Sequence, residues 1–320
     1  MDRRRQLTSL ALFLIFSLAS TYAQGLFDAN RKARQAFDAA YAAQKSGQLD
    51  KAIAGYQKAL ELDPGFYAAN NNLGFLYTKQ KKHTLAAEQF KKATESAPEL
   101  AEHHANLASA YLELGLADKA ISSLKEAIRR EPKKHGYHYN LALAYERRGD
   151  LAAAATELEA TLKLKPGMAD AQFQLGYVQE RLGDRDAAIS SYKAAIKLDE
   201  KQIHANLNLG ALLLSAGAFA EAESPCRRAA ELAPTNAVAL TNLGYSLARQ
   251  DKTAEAIAEY KKAIRADDDY ALAYKNLGVA LANSGDRSGA IDAWEKALEL
   301  DPQDDQIREN LGKLRSDSRK

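Results

Sequence analysis

Six of the seven prolines fall on one series with a step of 34: Pro64, Pro98, Pro132, Pro166, Pro234 and Pro302. Glu200 and Asp268 fill the two other places of that series, and only Pro225 lies off it. A fixed period of this length means a chain assembled from repeated supersecondary units, not the two globular domains that 320 residues would otherwise suggest.

With the prolines set at place 32, units begin at Ala33, Tyr67, Ala101, His135, Ala169, Ile203, Ala237 and Ala271. Place 20 is then alanine in every unit, from Ala52 to Ala290. Place 7 is leucine from the second unit on, and place 8 is always Gly or Ala. Place 24 is large in most units: Tyr56, Phe90, Leu124, Leu158, Tyr192, Tyr260 and Trp294. Glycine recurs at place 15, as Gly47, Gly115, Gly149, Gly183, Gly217 and Gly285. Each unit therefore reads as helix A, a glycine-marked turn, helix B and a proline-marked turn. Small residues at places 8 and 20 let the two helices approach closely, while Leu at place 7 and the large residue at place 24 fill the space beside the crossing. One such hairpin cannot bury its apolar face alone, so each unit stacks on its neighbours.

This pattern resembles the tetratricopeptide repeat family, with L-G-x2-Y, A-x3-F and a terminal Pro at a step of 34. Leu73, Gly74, Tyr77, Ala86, Phe90 and Pro98 make the fullest copy. The resemblance implies an all-α fold, a right-handed superhelical solenoid of eight helix-turn-helix units. These units are expected at 33–66, 67–100, 101–134, 135–168, 169–202, 203–236, 237–270 and 271–304, after a lead-in over 24–32. Residues 305–320 continue the register, with Asn310, Leu311 and Gly312 at places 6 to 8. Arg308 and Arg315 stand there at usually apolar places, which predicts a polar capping helix followed by a short tail.

The first 23 residues differ from the rest. Arg3, Arg4 and Arg5 precede an apolar run from Leu10 to Phe16, and Thr21-Tyr22-Ala23 offers small residues before Gln24. This is the layout of a secretory signal peptide over 1–23, cleaved near Ala23, and the run is too short to span a bilayer. The chain is therefore expected to be exported, to the periplasm or beyond the cell, with a mature part that does not span a membrane. A retained anchor is the alternative. The whole chain has 44 Lys and Arg against 42 Asp and Glu. Removing Arg3, Arg4, Arg5 and Asp2 with the signal balances the two signs. The basic footprint of a nucleic-acid binder is missing.

On helix A, places 3, 7, 10, 11 and 14 form one buried stripe at ~100° per residue, and places 2, 5, 6, 9, 12 and 13 point away from it. The resemblance implies that helix A lines the groove of the array. Place 6 is Asn72, Asn106, Asn140, Gln174, Asn208, Asn242 and Asn276. A carboxamide offers donors and an acceptor together, so a column of them can pair with the backbone of an extended peptide. The column is similar to the asparagine ladder in the superhelix of O-linked N-acetylglucosamine transferase. The other reading is that these side chains are solvated or tied to backbone. Place 13 adds Lys45, Lys79, Arg147, Arg181 and Arg249, and places 5 and 9 add Phe37, Tyr139, Phe173, Tyr41, Phe75, Tyr177 and Tyr245. Cations beside exposed aromatics favour peptides with acidic and apolar side chains. The carboxylate clamp of chaperone-binding family members is not assembled, because place 9 is never Asn and place 2 is basic only at Arg34.

Three minor features stand apart from the repeat. His104 and His138 share place 4 of successive units, with His103 and His135 nearby, which is a thin case for a zinc or copper site against ordinary polar packing. Cys226 is the one cysteine and takes the usually aromatic place 24, so it is expected to be buried. Pro225, inside helix B of the sixth unit, predicts a kink and the weakest contact between units. No phosphate loop, nucleophile elbow or HExxH pattern occurs, so no catalytic residue and no cofactor are expected. The leading expectation is a non-enzymatic scaffold that binds extended segments of partner proteins, in envelope assembly, secretion or polysaccharide export. A metal- or ligand-binding envelope protein and a self-associating structural subunit are the alternatives.

Overall fold

The computed structural model describes residues 28–316, and the signal peptide expected over 1–23 lies outside them. Seventeen helices and no strand are found among the described residues. Helix α1 covers residues 28–45, so residues 28–32 of the expected lead-in already belong to it, and α2 (Leu49–Leu62) returns against it. The following hairpins are α3 (Tyr67–Lys79) with α4 (His83–Ser96), α5 (Ala101–Glu113) with α6 (Ala117–Arg130), and α7 (His135–Arg148) with α8 (Leu151–Leu164). Then come α9 (Ala169–Leu182) with α10 (Arg185–Leu198), α11 (Ile203–Ser215) with α12 (Phe219–Leu232), α13 (Ala237–Ala248) with α14 (Thr253–Ala266), and α15 (Ala271–Asn283) with α16 (Arg287–Leu300). Helix α17 (Asp305–Ser316) closes the series. The chain forms two compact units that divide within α8, between Ala160 and Thr161.

Both units are built on the same contact. In the first, Ala52, Ala86, Ala120 and Ala154 are fully buried beside Tyr56, Phe90, Leu124 and Leu158. In the second, Ala188, Ala222, Ala256 and Ala290 are fully buried beside Tyr192, Cys226, Tyr260 and Trp294. Burying each large side chain stabilises by roughly 1.5–3 kcal/mol, and adjacent hairpins share that burial.

Places 8 and 24 are matched in size. A Cβ on Gly74, Gly176 or Gly244 would come within 2.7 Å of the ring of Phe90, Tyr192 or Tyr260. On Gly278 it would overlap Cδ1 and Nε1 of Trp294, and on Gly210 it would lie 2.6 Å from Sγ of Cys226. Where place 24 is the slimmer Leu124 or Leu158, place 8 is Ala108 or Ala142. Ala40 stands opposite Tyr56 in the first hairpin, and there the room comes from the other side. A Cβ on Gly55 would lie 2.7 Å from that of Ala40.

The turns obey their own rules. Every place 15 has positive φ, from 72° to 94° at the six glycines, and Lys81 and Asp251 are forced to 58° and 62°. At the other end of the unit the proline sits second in a β-turn, where its fixed φ is already correct. The amide of Phe66 donates to the Asp63 carbonyl at 3.1 Å, and Leu100 to Ala97 at 3.2 Å. Asp199 and Gln202 close the same turn around Glu200 without proline.

Helix α12 runs through Pro225, and the weak contact expected there depends on the side: that of α10 with α11, beside a cavity lined by Pro225, is slight, whereas that of α12 with α13 is extensive. The reason is a polar set on the exposed side. Glu223 accepts from Lys252 at 2.6 Å, Arg227 at 2.9 Å and Gln250 at 3.1 Å, and Ser246 donates to the Phe219 carbonyl at 2.8 Å. These bonds tie α12 to the next hairpin across the break in its own ladder.

Candidate functional site

The sequence places the candidate site on the A helices. All residues of the place 6 column, Asn72, Asn106, Asn140, Gln174, Asn208, Asn242 and Asn276, are half-buried, and so is Asn310 of α17. They are not equivalent. Asn72 Nδ2 donates to the Tyr56 hydroxyl at 3.1 Å, and that hydroxyl donates to Gln44 Oε1 at 2.6 Å. Asn208 repeats the arrangement with Tyr192 at 3.1 Å, whose hydroxyl donates to Glu180 at 2.7 Å. A place 24 tyrosine, oriented by an acceptor at place 12 of its own unit, thus captures the amide group of the next unit's asparagine. Burial, helped by the Glu180 carboxylate, pushes the Tyr192 phenol well above its ordinary range, so it stays protonated and able to donate.

Where this relay is incomplete, the carboxamide is left over. Asn106 follows Phe90 and turns instead to Asn71 Oδ1 at 2.9 Å. Asn140 follows Leu124 and Asn242 follows Cys226, neither of which offers a hydroxyl. Asn276 follows Tyr260, but place 12 there is Ala248, so no acceptor orients that phenol. Asn242, Asn276 and Asn310 line one groove of about 470 Å³ with Tyr245, Arg249 and Lys275. Leu272 and Val279, both substantially exposed, lie on the same wall.

The other expected residues fall as follows. Tyr41 and Phe75 are exposed, Tyr41 stacked on Phe37 at 6.3 Å and Phe75 edge-on to Phe90 at 5.3 Å. Tyr177 and Tyr245 are half-buried beneath Arg181 and Arg249. Lys79 is exposed, whereas Arg147 donates to the Leu112 carbonyl at 2.7 Å and is occupied. The aromatics of this row thus pack on neighbouring rings and cationic side chains.

The histidines have structural work. His104 Nε2 lies 2.9 Å from the Pro98 carbonyl, and His138 Nε2 lies 3.0 Å from that of Pro132. His138 Nδ1 faces Glu157 at 2.7 Å. Asn70 reaches Pro64 and Arg308 reaches Pro302 in the same way, so place 4 caps the carbonyl of the proline turn. His135 is half-buried on α7. No group of three or more His, Cys, Asp or Glu side chains is arranged for a metal ion among the described residues. Burial lowers the pKa of His103 and pushes the Cys226 thiol up to about 12.

Sequence reasoning passed over Leu272, Lys275, Val279, Gln306 and Asn310. The signal was present, since they occupy places 2, 5, 9, 2 and 6 of the same register.

Hairpins of two helices at a constant step, with one face carrying half-buried carboxamides, define a helical repeat protein. The chain belongs to the tetratricopeptide repeat family, whose profiles match residues 106–169, 173–237 and 241–312, and also 41–81 and 67–100. Among solved structures it is similar to the MamA protein, at 29% identity and a TM-score of 0.51 over 53% of this chain and 93% of that one. YrrB, described as a TPR protein with an unusual peptide-binding site, is 25% identical with a TM-score of 0.52, over 58% of this chain and 96% of its own. The C-terminal part of a TPR repeat-containing protein from Cytophaga hutchinsonii shares the fold over 75% of this chain and 98% of its own, with a TM-score of 0.63 at 19% identity. A comparison with curated proteins gives no match. No described helix is long and apolar enough to cross a membrane.

Proposed function

We propose that this protein is a non-enzymatic adaptor that holds an extended segment of another protein on its A-helix face. The observation that carries this reading is the run of unengaged carboxamides Asn242, Asn276 and Asn310 along one groove with exposed aliphatic walls. An extended chain presents N–H and C=O groups at regular intervals, and each carboxamide answers both. The likeness to YrrB supports the same use. The signal-like layout of residues 1–23 supports work outside the cytoplasm, in our reading within envelope assembly, secretion or polysaccharide export, and the balanced charge argues against nucleic acid as a partner.

The test is capture and crosslinking of partners from the native envelope, comparing the wild type with Asn242→Ala plus Asn276→Ala. Asn72 and Asn208 are unsuitable for this purpose, because their loss also removes a bond between hairpins. The double variant is expected to keep its melting temperature and lose the partner. Equal capture by both proteins would remove the groove from the account.

A further inference from the structure

The A-helix face changes character after Glu180. The places that point into the groove include Asp38, Glu102, Glu113, Glu146, Asp170 and Glu180 in the first five units, whereas in units six to eight they hold no carboxylate. Two strong cations remain on the A helices of these three units, and α17 adds Glu309 and Lys313 at places 5 and 9, paired with each other at 2.6 Å. Lys275 is neutralised by Asp304 at 2.7 Å. Arg249 is not neutralised, since no carboxylate lies within ion-pair distance of it among the described residues. Its guanidinium rests 4.3 Å from the centre of the Phe219 ring and 5.9 Å from that of Tyr245. Stacking on two rings and a long hydrogen bond from Nη1 to the Tyr245 hydroxyl at 3.4 Å hold the planar group in place, and its other N–H groups remain for a planar anion. Beside it, the hydroxyl of Thr241 is buried in the groove wall without a hydrogen-bond partner.

We infer that the strip formed by α13, α15 and α17 selects an extended segment carrying an internal Asp or Glu flanked by aliphatic side chains. The carboxylate pairs with Arg249, and the aliphatic neighbours lie on Leu272 and Val279. Side chains alternate along an extended chain, which leaves its backbone amides to Asn242 and Asn276. An internal acid is favoured over a terminal carboxylate because the carboxamide line continues to Asn310, so the bound chain passes Arg249 and does not end there. The inference rests on the peptide-binding reading above.

A randomised library of N-acetylated, C-amidated decapeptides, selected on the full-length chain, tests both levels. Enriched peptides are expected to carry one acid between aliphatic residues. The best of them should bind roughly ten-fold more weakly to Arg249→Gln, which keeps a planar group without the charge. Changing the peptide's own acid to its amide should cost wild-type binding a similar factor, whatever the fate of the variant. Binding by the wild type, but not by Arg249→Gln, should weaken with added salt. Peptides enriched without an acid, or bound equally by Arg249→Gln, would overturn this inference and leave the peptide-binding reading intact. A preference for free over amidated C-termini would overturn the choice of an internal acid. No enrichment on the wild type would overturn both levels.

Discussion

At the scale of single residues, the fit between places 8 and 24 sets the tolerances. Trp294 donates its Nε1 hydrogen to the Lys275 carbonyl at 3.2 Å, so the ring cannot swing away from Gly278. Gly278→Ala is expected to cost about 1–3 kcal/mol by overpacking, read from urea denaturation. The converse exchange should be coupled. Leu124→Tyr alone clashes with Ala108, and adding Ala108→Gly should recover most of the loss, a non-additivity that a double-mutant cycle measures. Lys81 sits in the left-handed region, where a side chain costs roughly 1–2 kcal/mol. Lys81→Gly should therefore raise the urea midpoint, corresponding to a stability gain of up to about 1 kcal/mol once the extra freedom of glycine in the unfolded chain is deducted. The size match was readable in the letters themselves, since Ala108 and Ala142 accompany leucines and four glycines accompany aromatic rings.

Between elements, hydrogen bonds decide what hydrophobic spacing leaves open. Glu223 joins α12 to the following hairpin, and Lys252 first, then Arg227, hold its carboxyl down at about 2 from an ordinary 4.5. A group whose folded pKa is depressed stabilises fully above its unfolded value and loses that contribution as the pH falls toward the folded one. Thermal stability should thus decline between about pH 4.5 and 2, and Glu223→Gln should flatten that part of the profile while lowering stability at neutral pH. This bond set is why Pro225 misleads a reading based on helix breaking alone. The missing backbone donor is real, but α12 is held to the next hairpin by groups from α13 and from the turn that follows it. The place 6 column was equally visible in the sequence, yet its division was not. Whether Asn208 is engaged depends on Tyr192 and Glu180 in the preceding unit, and a search along one place of the repeat does not see the other two.

For the whole molecule, the period of 34 made the fold class legible before any coordinates, because a helical hairpin repeated at constant spacing has few other ways to bury its apolar side. Export rests on residues 1–23 alone. If the signal is cleaved as its letters suggest, the N-terminal sequence of protein recovered from the native envelope begins at Gln24; a chain beginning at Met1 would mean a retained anchor. The identity of the partner is not written in the frame, since groove residues vary independently of the residues that build the hairpins.

The tyrosine relay has a consequence for how such a surface changes over time. On the proposed peptide-binding reading, a buried phenol that the visiting chain never touches helps to set whether the amide in the next hairpin is free to meet it. Exchanging Cys226 for tyrosine, with an acceptor supplied at Leu214, would retire Asn242 without altering a single exposed atom of that asparagine. Specificity can thus be rewritten from the inside, one hairpin upstream of where it is felt.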